Sequence, residues 1–523
     1  MQAPASTEDV IDPDARTPAY AWYVLSVLIL VYILNFVDRQ VLSILAEDVK
    51  RDLDLTDGDI GFLYGTAFGV FYALFGIPLG RLADSWHRVR LMTLGLSLWS
   101  VMTALSGLAR NGLMLSGARV GVGIGEATAS PSAYSLISDW FPKKRRGLAL
   151  ALYSSGLYIG GGLSLGLGGL VVQNWNKAYP VKELAPLGLA GWQAAFMAVG
   201  IPGLLLALWV FTLREPVRGQ SEGFASKVRP HPFRDFLAEL VTILPPLTLI
   251  GAARSGNLLR NVAVALLVTG CVCGLIALGE PLLQWTAVGI GVYAVYSWAS
   301  TLRRTDPPTY ALILGTPAFL LTVLAYGLNA FLTYSVSFWA SPYALRTFGV
   351  SESEVGWVVG SIGASAGFLG VIAGGWAADK LRTRHPAGRL WVVIFGAIAP
   401  IPAVVAAFTT RDLTLFYAML FPAQALASCA LGAAAATTQD LVLPRMRGTA
   451  TASFFIGTTL IGLALGPYLA GRISALTGNL ATGVLSLLLT VPIALIAAIV
   501  ASRLLPASEA TAHKRAAAAG EDF

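Results

Sequence analysis

Asp38 and Arg39 stand side by side in "YILNFVDRQVL", directly after the apolar run "AWYVLSVLILVYIL", and Arg119 and Glu126 lie in the glycine-rich "RVGVGIGEATASP". Charges in such surroundings are expensive: at the centre of a membrane helix each costs at least ~2.5–3.5 kcal/mol, and ionisable groups there usually mark an ion or substrate pathway. Arg119 and Glu126 are seven residues apart, about two helical turns or ~10 Å along one face, so both can look into one cavity. Asp38 and Arg39 are adjacent and diverge by about 100° on a helix, which makes them poor partners for each other. The sensible pairs are across helices: Asp38 with Arg119, Arg39 with Glu126, or a shared cluster. A carboxylate so placed can carry a proton, and an arginine so placed can hold an anion. The competing reading is structural, a buried neutral quartet that fixes how two helices pack.

The elements that position these four residues are membrane helices. The chain has 523 residues, 55% hydrophobic and only 12% charged, with a mean hydropathy of +0.67, whereas soluble proteins are about one quarter charged. Apolar runs such as "TLGLSLWSVMTALSGL" and "VLSLLLTVPIALIAAIV" recur along almost the whole length, and about 20 apolar residues cross a bilayer as a helix. The pattern predicts an all-α polytopic membrane protein with fourteen spans, the first at 21–46, the last at 481–504, and others at 262–279, 282–302 and 311–343. The start, "MQAPASTEDVIDPDARTPAY", has neither a basic segment nor an apolar core, so no cleavable signal peptide is expected.

The chain also repeats itself. "LTDGDIGFLYG" at 55–65 aligns with "VSESEVGWVVG" at 350–360, and the same register carries "GRLAD", ending at Asp84, onto "GWAAD", ending at Asp379. "FPKKRRGLALALYSSG" likewise answers "VLPRMRGTATASFFIG". Two homologous six-helix units related by a direct repeat are the arrangement of the two halves of major facilitator transporters. The expected organisation is a tail (1–20), a first bundle (21–213), a linker with an inserted apolar hairpin (214–308), a second bundle (309–504) and a second tail (505–523). Under the repeat, Asp38 and Arg39 fall on Thr333 and Tyr334, and Arg119 and Glu126 on Leu420 and Ala427. Charges that merely held the fold would need a counterpart set, so a one-sided functional site is expected.

Lys and Arg crowd alternate loops, among them "RLADSWHRVR", "PKKRR", "DKLRTRHPAGR" and "PRMRG", which predicts a cytoplasmic face for them and for both termini. This bias accounts for the net charge of +7, so nucleic acid is not an expected partner. No "GxxxxGK[ST]" occurs, which argues against ATP-driven transport. Cys271, Cys273 and Cys429 sit in apolar helices and His87, His231, His385 and His513 in loops or the tail, so no metal site or disulfide is expected. Neither are catalytic residues, enzymatic activity or a cofactor; protons are the expected coupling ion. Asp38 and Glu126 are the candidates to carry them.

The run "NFVDRQVLSILAEDVKRDLDLTDGDIGFLYGTAFGVFYALFGIPLGRLADSWHRVR", with "RVGVGIGEATASPSAYSLISDWFPKKRRG", resembles the Spinster-like family of the major facilitator superfamily. The similarity is densest over residues 35–169. It implies a monomeric transporter of the bacterial inner membrane that works by alternating access on lysophospholipids or sphingoid-base phosphates. "GRLADSWHRVR" resembles the superfamily's loop between helices 2 and 3, which carries over Gly80, Asp84 and Arg88; in that pattern the aspartate and arginine latch the cytoplasmic ends of the halves. Asp84 is then expected at the positive N-terminal end of the eleventh helix near Gly448, with Asp139 close by.

For the cargo, the quartet sums to zero, so protonating one carboxylate leaves a net positive site for an anion. Arg39 and Arg119 are the expected holders of its head. Asn35, Tyr64, Phe68, Tyr72, Tyr153 and Tyr158 are expected to line an amphipathic cavity with membrane lipids close by, and Asn329 and Thr333, on the stripe Tyr326–Asn329–Thr333–Ser337, either line it opposite the charges or bond helix to helix. A symporter or exporter of hydrophilic organic anions or drugs is the alternative, and a lipid scramblase or sensor, which needs no titrating carboxylate, is the alternative of another class.

Overall fold

The computed structural model describes residues 18–219 and 231–521. The acidic stretch 1–17 and the basic stretch 220–230 lie outside the described residues.

The first bundle holds α1 (Ala19–Asp52), α2 (Asp57–Ser85), α3 (Arg88–Ser106), α4 (Gly112–Glu126, continued by Ala129–Trp140), α5 (Lys143–Ala178) and α6 (Gly191–Phe211). A linker of α7 (Pro232–Ile243) and α8 (Thr248–Arg254), bent by 97° at the Pro-Pro break, leads to the hairpin of α9 (Leu258–Ala277) and α10 (Leu282–Thr305). After the short α11 (Pro307–Ile313) comes the second bundle: α12 (Pro317–Phe348), α13 (Glu352–Arg382), α14 (Gly388–Thr409), α15 (Leu413–Asp440), α16 (Pro444–Thr477) and α17 (Leu480–Ala510), followed by α18 (Ala512–Ala518). Among the described residues, 12 of these helices are long and apolar enough to cross a membrane; the broken α4 and the more polar α10 complete the two six-helix bundles and the hairpin.

The repeat is visible as shared chemistry at helix starts. Thr56 caps α2 by accepting the Asp59 N–H, and its repeat partner Ser351 caps α13 by accepting that of Glu354. Asn111 caps α4 through Met114, and Asp412 caps α15 through Leu415. A side-chain oxygen at each start satisfies a backbone donor the helix cannot, worth about 1 kcal/mol. One boundary differs from expectation. The span predicted at 311–343 is split, because α11 stops at Ile313 and α12 starts on Pro317, whose missing N–H and fixed φ suit a first helical position. Gly349, at φ 64°, then ends α12 in the left-handed conformation that glycine takes without strain.

The end of the molecule that carries the basic loops is called here the basic end, and its opposite the far end. At the far end the bundles touch through glycine. A Cβ on Gly169 of α5 would lie 2.2 Å from the Glu352 carbonyl, and one on Gly356 of α13 would lie 2.2 Å from that of Leu165. A Cβ on Gly61 or Gly65 of α2 would lie 2.4 Å from the carbonyl of Pro467 or Leu463 of α16. Any larger residue would force these backbones apart. Both α2 and α16 carry a π-helical turn there, Phe62–Thr66 and Thr459–Leu463. Toward the basic end the same helices part: at Gly76 and Gly80 of α2, Gly147 of α5, Gly375 of α13 and Gly448 of α16, an added Cβ would meet nothing within 4 Å. The structure is closed at the far end and open at the basic end.

An ionic lock adds to the closure. Arg346 of α12 donates from Nη1 and Nη2 to the two carboxylate oxygens of Asp57 at 2.7 and 2.6 Å, and from Nε to Glu47 at 2.7 Å. Lys50 and, from α16, Ser474 complete the shell of Asp57 at 2.7 and 2.6 Å. In the hairpin, α9 buries only Asn261, whereas Ala294 and Trp298 of α10 are buried among Val70 and Leu74 of α2 and Ala464 of α16. The hairpin therefore seals the outer side of the seam between α2 and α16.

Candidate functional site

Glycines bring α4 close enough to place its charges. A Cβ on Gly123 would lie 2.5 Å from the Phe68 carbonyl of α2, and one on Gly125 would lie 2.8 Å from the Gly95 carbonyl of α3. The helix can thus press between α2 and α3, and it breaks just past Glu126.

Arg39 and Glu126 meet directly, with Nη2 2.7 Å and Nε 3.3 Å from Glu126 Oε2. The arginine is 7% exposed and the glutamate 1%. The guanidinium also lies over the rings of Phe36, Phe68 and Tyr72, 4.7, 4.5 and 5.0 Å from their centroids, where the negative ring faces attract it. Asp38 and Arg119 are neighbours without an ion pair between their side chains. Arg119 instead donates from Nη1 to the backbone carbonyl of Asp38 at 3.3 Å and from Nε to that of Leu63 at 3.4 Å. The pairing of Asp38 with Arg119 expected across helices is therefore not made by the side chains: Nε and Nη1 of the arginine point to the carbonyls of α2 and α1, and its Nη2 is left without a partner. The Asp38 carboxyl is fully buried, and neither of its oxygens has a hydrogen-bond partner. Trp99 and Thr103 of α3 stand beside it but miss hydrogen-bond geometry, and their own donors are unsatisfied. A buried, unpartnered carboxyl of this kind is where a structure stores chemistry rather than stability.

Aromatic side chains surround the quartet. Tyr64, Phe68 and Tyr153, expected in the cavity wall, are fully buried: Tyr64 stacks on Phe338 of the second bundle at 4.1 Å and Tyr153 on Tyr32 at 4.4 Å. Tyr72 and Tyr158 are partly open. Asn35 is buried beside Glu126. Asn329 and Thr333 are tied by hydrogen bonds within the second bundle. Asn329 donates to the Ala427 carbonyl at 3.1 Å and so joins α12 to α15, whereas Thr333 donates to the Asn329 carbonyl of its own helix at 2.8 Å. Tyr334, not singled out from the sequence, comes close to Arg39. The signal was available, since the repeat places Tyr334 on Arg39.

At the basic end each bundle has its own clamp. Arg88, fully buried, binds Asp139, the Ser135 hydroxyl at 2.9 Å and Glu215 at 2.7 Å. In the second bundle Arg389 binds Asp440, the repeat partner of Asp139, and Asp379 at 3.1 Å, while Arg382 binds Glu509 at 2.8 Å. Glu215, Asp440 and Glu509 were missed from the sequence, although the repeat that links Asp84 to Asp379 also links Asp139 to Asp440. Gly80 and Asp84 lie on the open side. Asp84 is exposed in the charge cluster around Arg218, and a Cβ added at Gly448, where it was expected to dock, would meet nothing within 4 Å.

Known proteins agree with this architecture. A family profile described as the Major Facilitator Superfamily matches residues 28–323 and 322–522. The chain is 30% identical over 503 residues, 95% of its length and 96% of the relative's, to a protein of Mycolicibacterium smegmatis named "MFS-type efflux pump". It is 29% identical over 215 residues, 40% of its length and 45% of the relative's, to an Escherichia coli protein named "Probable galactarate/D-glucarate transporter GarP". Among solved structures it is similar to a bacterial homologue of the human lysosomal transporter Spinster, in an inward-facing and occupied conformation, with a TM-score of 0.67 and 27% identity over 96% of this chain and 99% of that one.

Proposed function

This chain belongs to the Major Facilitator Superfamily, and on that premise we propose that it is a proton-linked secondary transporter moving an amphipathic anion, a lysophospholipid or sphingoid-base phosphate, by alternating access. The observation that carries the reading is the asymmetric charge site: an Arg39–Glu126 pair beside an unpartnered, buried Asp38, with no equivalent in the second bundle. Protonating Glu126 weakens its hold on Arg39 and leaves the quartet with a net positive charge, so the freed guanidinium can take an anionic head. Phe36, Phe68, Tyr72 and Tyr334 around it offer apolar faces to a chain, with few of the amides and hydroxyls that a sugar requires. Asp38 is the second proton carrier, its proton exchanging when the cavity opens to water. The far-end glycine contacts and the Arg346–Asp57 lock hold one access state, and breaking them opens the other. The positive-inside rule puts the basic end in the cytoplasm, so this state faces inward.

The partial likeness to a sugar-acid transporter favours a second reading, a hydrophilic organic anion held by the same arginines. Flux in proteoliposomes separates the two. Saturable transport of a small organic acid, with neither binding nor flux of any single-chain phospholipid, would overturn the lipid reading, and loss of lipid binding on Arg39→Ala or Arg119→Ala would support it.

A further inference from the structure

A second cleft lies at the far end, outside the charge site, between the tip of the hairpin and the ends of α2, α4 and α16. Its volume is about 360 Å³, within the range of small-molecule sites. Leu55, Phe62 and Leu63 form one wall and Leu113, Pro281 and Leu282 the other. Leu113 and Leu282 are 68% and 61% exposed, so the mouth is a rim of bare leucines. It lies beside the first turns of α2 and α4, which the polar caps Thr56 and Asn111 begin. A rim of bare leucines suits lipid chains better than water.

One polar group in the wall has nothing to do. Gln284 is 1% exposed, and its amide nitrogen and oxygen both lack a hydrogen-bond partner. A buried amide left with an idle donor and an idle acceptor is uncommon and costly. The charge of the cleft is equally telling, for the only carboxylate or cation among its lining residues is Asp59, an anion.

We propose that this cleft binds a neutral single-chain lipid from the leaflet on that side, a monoacylglycerol, whose chain lies against the leucines and whose hydroxyl and ester carbonyl pair with the Gln284 amide. An anionic head is disfavoured by Asp59, so the cleft and the arginine site select different lipids. Because its walls come from both bundles and the hairpin, the cleft is complete only while the far end is closed. Its occupant therefore stabilises that state.

The test uses the full chain in nanodiscs with a monoacylglycerol whose chain carries a photoreactive diazirine, the cross-links being mapped by peptide mass spectrometry. Cross-links are expected on the segments around Leu63, Leu113 and Leu282. Gln284→Leu should weaken labelling about thirtyfold, the effect of losing two ordinary hydrogen bonds, and Leu113→Trp, at an exposed position that tolerates bulk, should block it. Excess lysophosphatidate, an anionic single-chain lipid of the kind proposed for the arginine site, should leave it unchanged. Equal labelling in Leu113→Trp, equal labelling by the same chain bearing a phosphate head, or loss of labelling under excess lysophosphatidate would each overturn the assignment. The last result would also place the lipid in the central cavity, whereas failure of the transport reading alone would leave the labelling pattern intact.

Discussion

Arg39 and Glu126 hold each other in a site from which water is largely excluded, so removing one is expected to cost more than removing both. Arg39→Ala strands a buried carboxylate and should destabilise the protein by roughly 3–5 kcal/mol, while Arg39→Ala with Glu126→Ala should cost clearly less than the sum of the single changes. Thermal unfolding of the four proteins in one detergent measures this, and additive losses would contradict a direct pair. Residue types and positions here were legible in the sequence because charge in hydrocarbon is conspicuous. Of the pairs expected across helices, Arg39 with Glu126 is made; the other, Asp38 with Arg119, is not, because it depends on how α4 rotates against α1 and on which carbonyls compete for Arg119. The same limit explains Asn329, whose place on a polar stripe was readable but whose bond to the Ala427 carbonyl depends on the packing of α15.

At the scale of elements, the far-end contacts should set which way the transporter opens. Gly356→Ala puts a methyl 2.2 Å from the Leu165 carbonyl, and overpacking of about 1–3 kcal/mol would shift the population roughly tenfold toward far-end opening. Asp57→Ala should act in the same direction by leaving Arg346 without its bidentate partner. Spin-label distances across the far end read both; unchanged distances would show that these contacts do not gate. Asp84→Asn, by contrast, should favour the present state if Asp84 latches the basic end in the alternative one, and basic-end distances that stay unchanged would count against that latch. The hairpin tip carries a pH-sensitive tie. Burial pushes the Glu280 carboxyl up, but hydrogen bonds from Trp285, Tyr468 and Arg472 together outweigh this and hold it below the ordinary glutamate range. Its folded value is depressed, so the tie contributes above the unfolded value of about 4.3 and is lost as pH falls through the folded one. Hydrogen exchange at the tip should therefore rise at acid pH, and should not in Glu280→Gln. The repeat made these elements legible by preserving caps such as Thr56 and Ser351. It hid the Arg346–Asp57 lock, which joins positions the repeat does not relate.

For the whole molecule, two bundles that touch through glycine and one ionic lock at one end, and stand apart at the other, fit one of the two states of the rocking pair proposed above, with the unmatched charges in the first bundle between the gates. The bundle count and the direct repeat were readable from composition and self-similarity, but the open end was not, since the same contacts in sequence serve both states. The hairpin's sealing of the α2–α16 seam was equally invisible, because α10 shows its packing face only once Val70 and Ala464 are beside it. The central claim is that protons drive cargo through the Asp38–Arg39–Arg119–Glu126 site, and it is tested most directly by lysophospholipid flux in proteoliposomes with and without an imposed pH gradient. The account predicts gradient-dependent, saturable flux in the wild-type protein and flux that no longer responds to the gradient in Asp38→Asn and in Glu126→Gln. Wild-type pH dependence retained in both variants would contradict it.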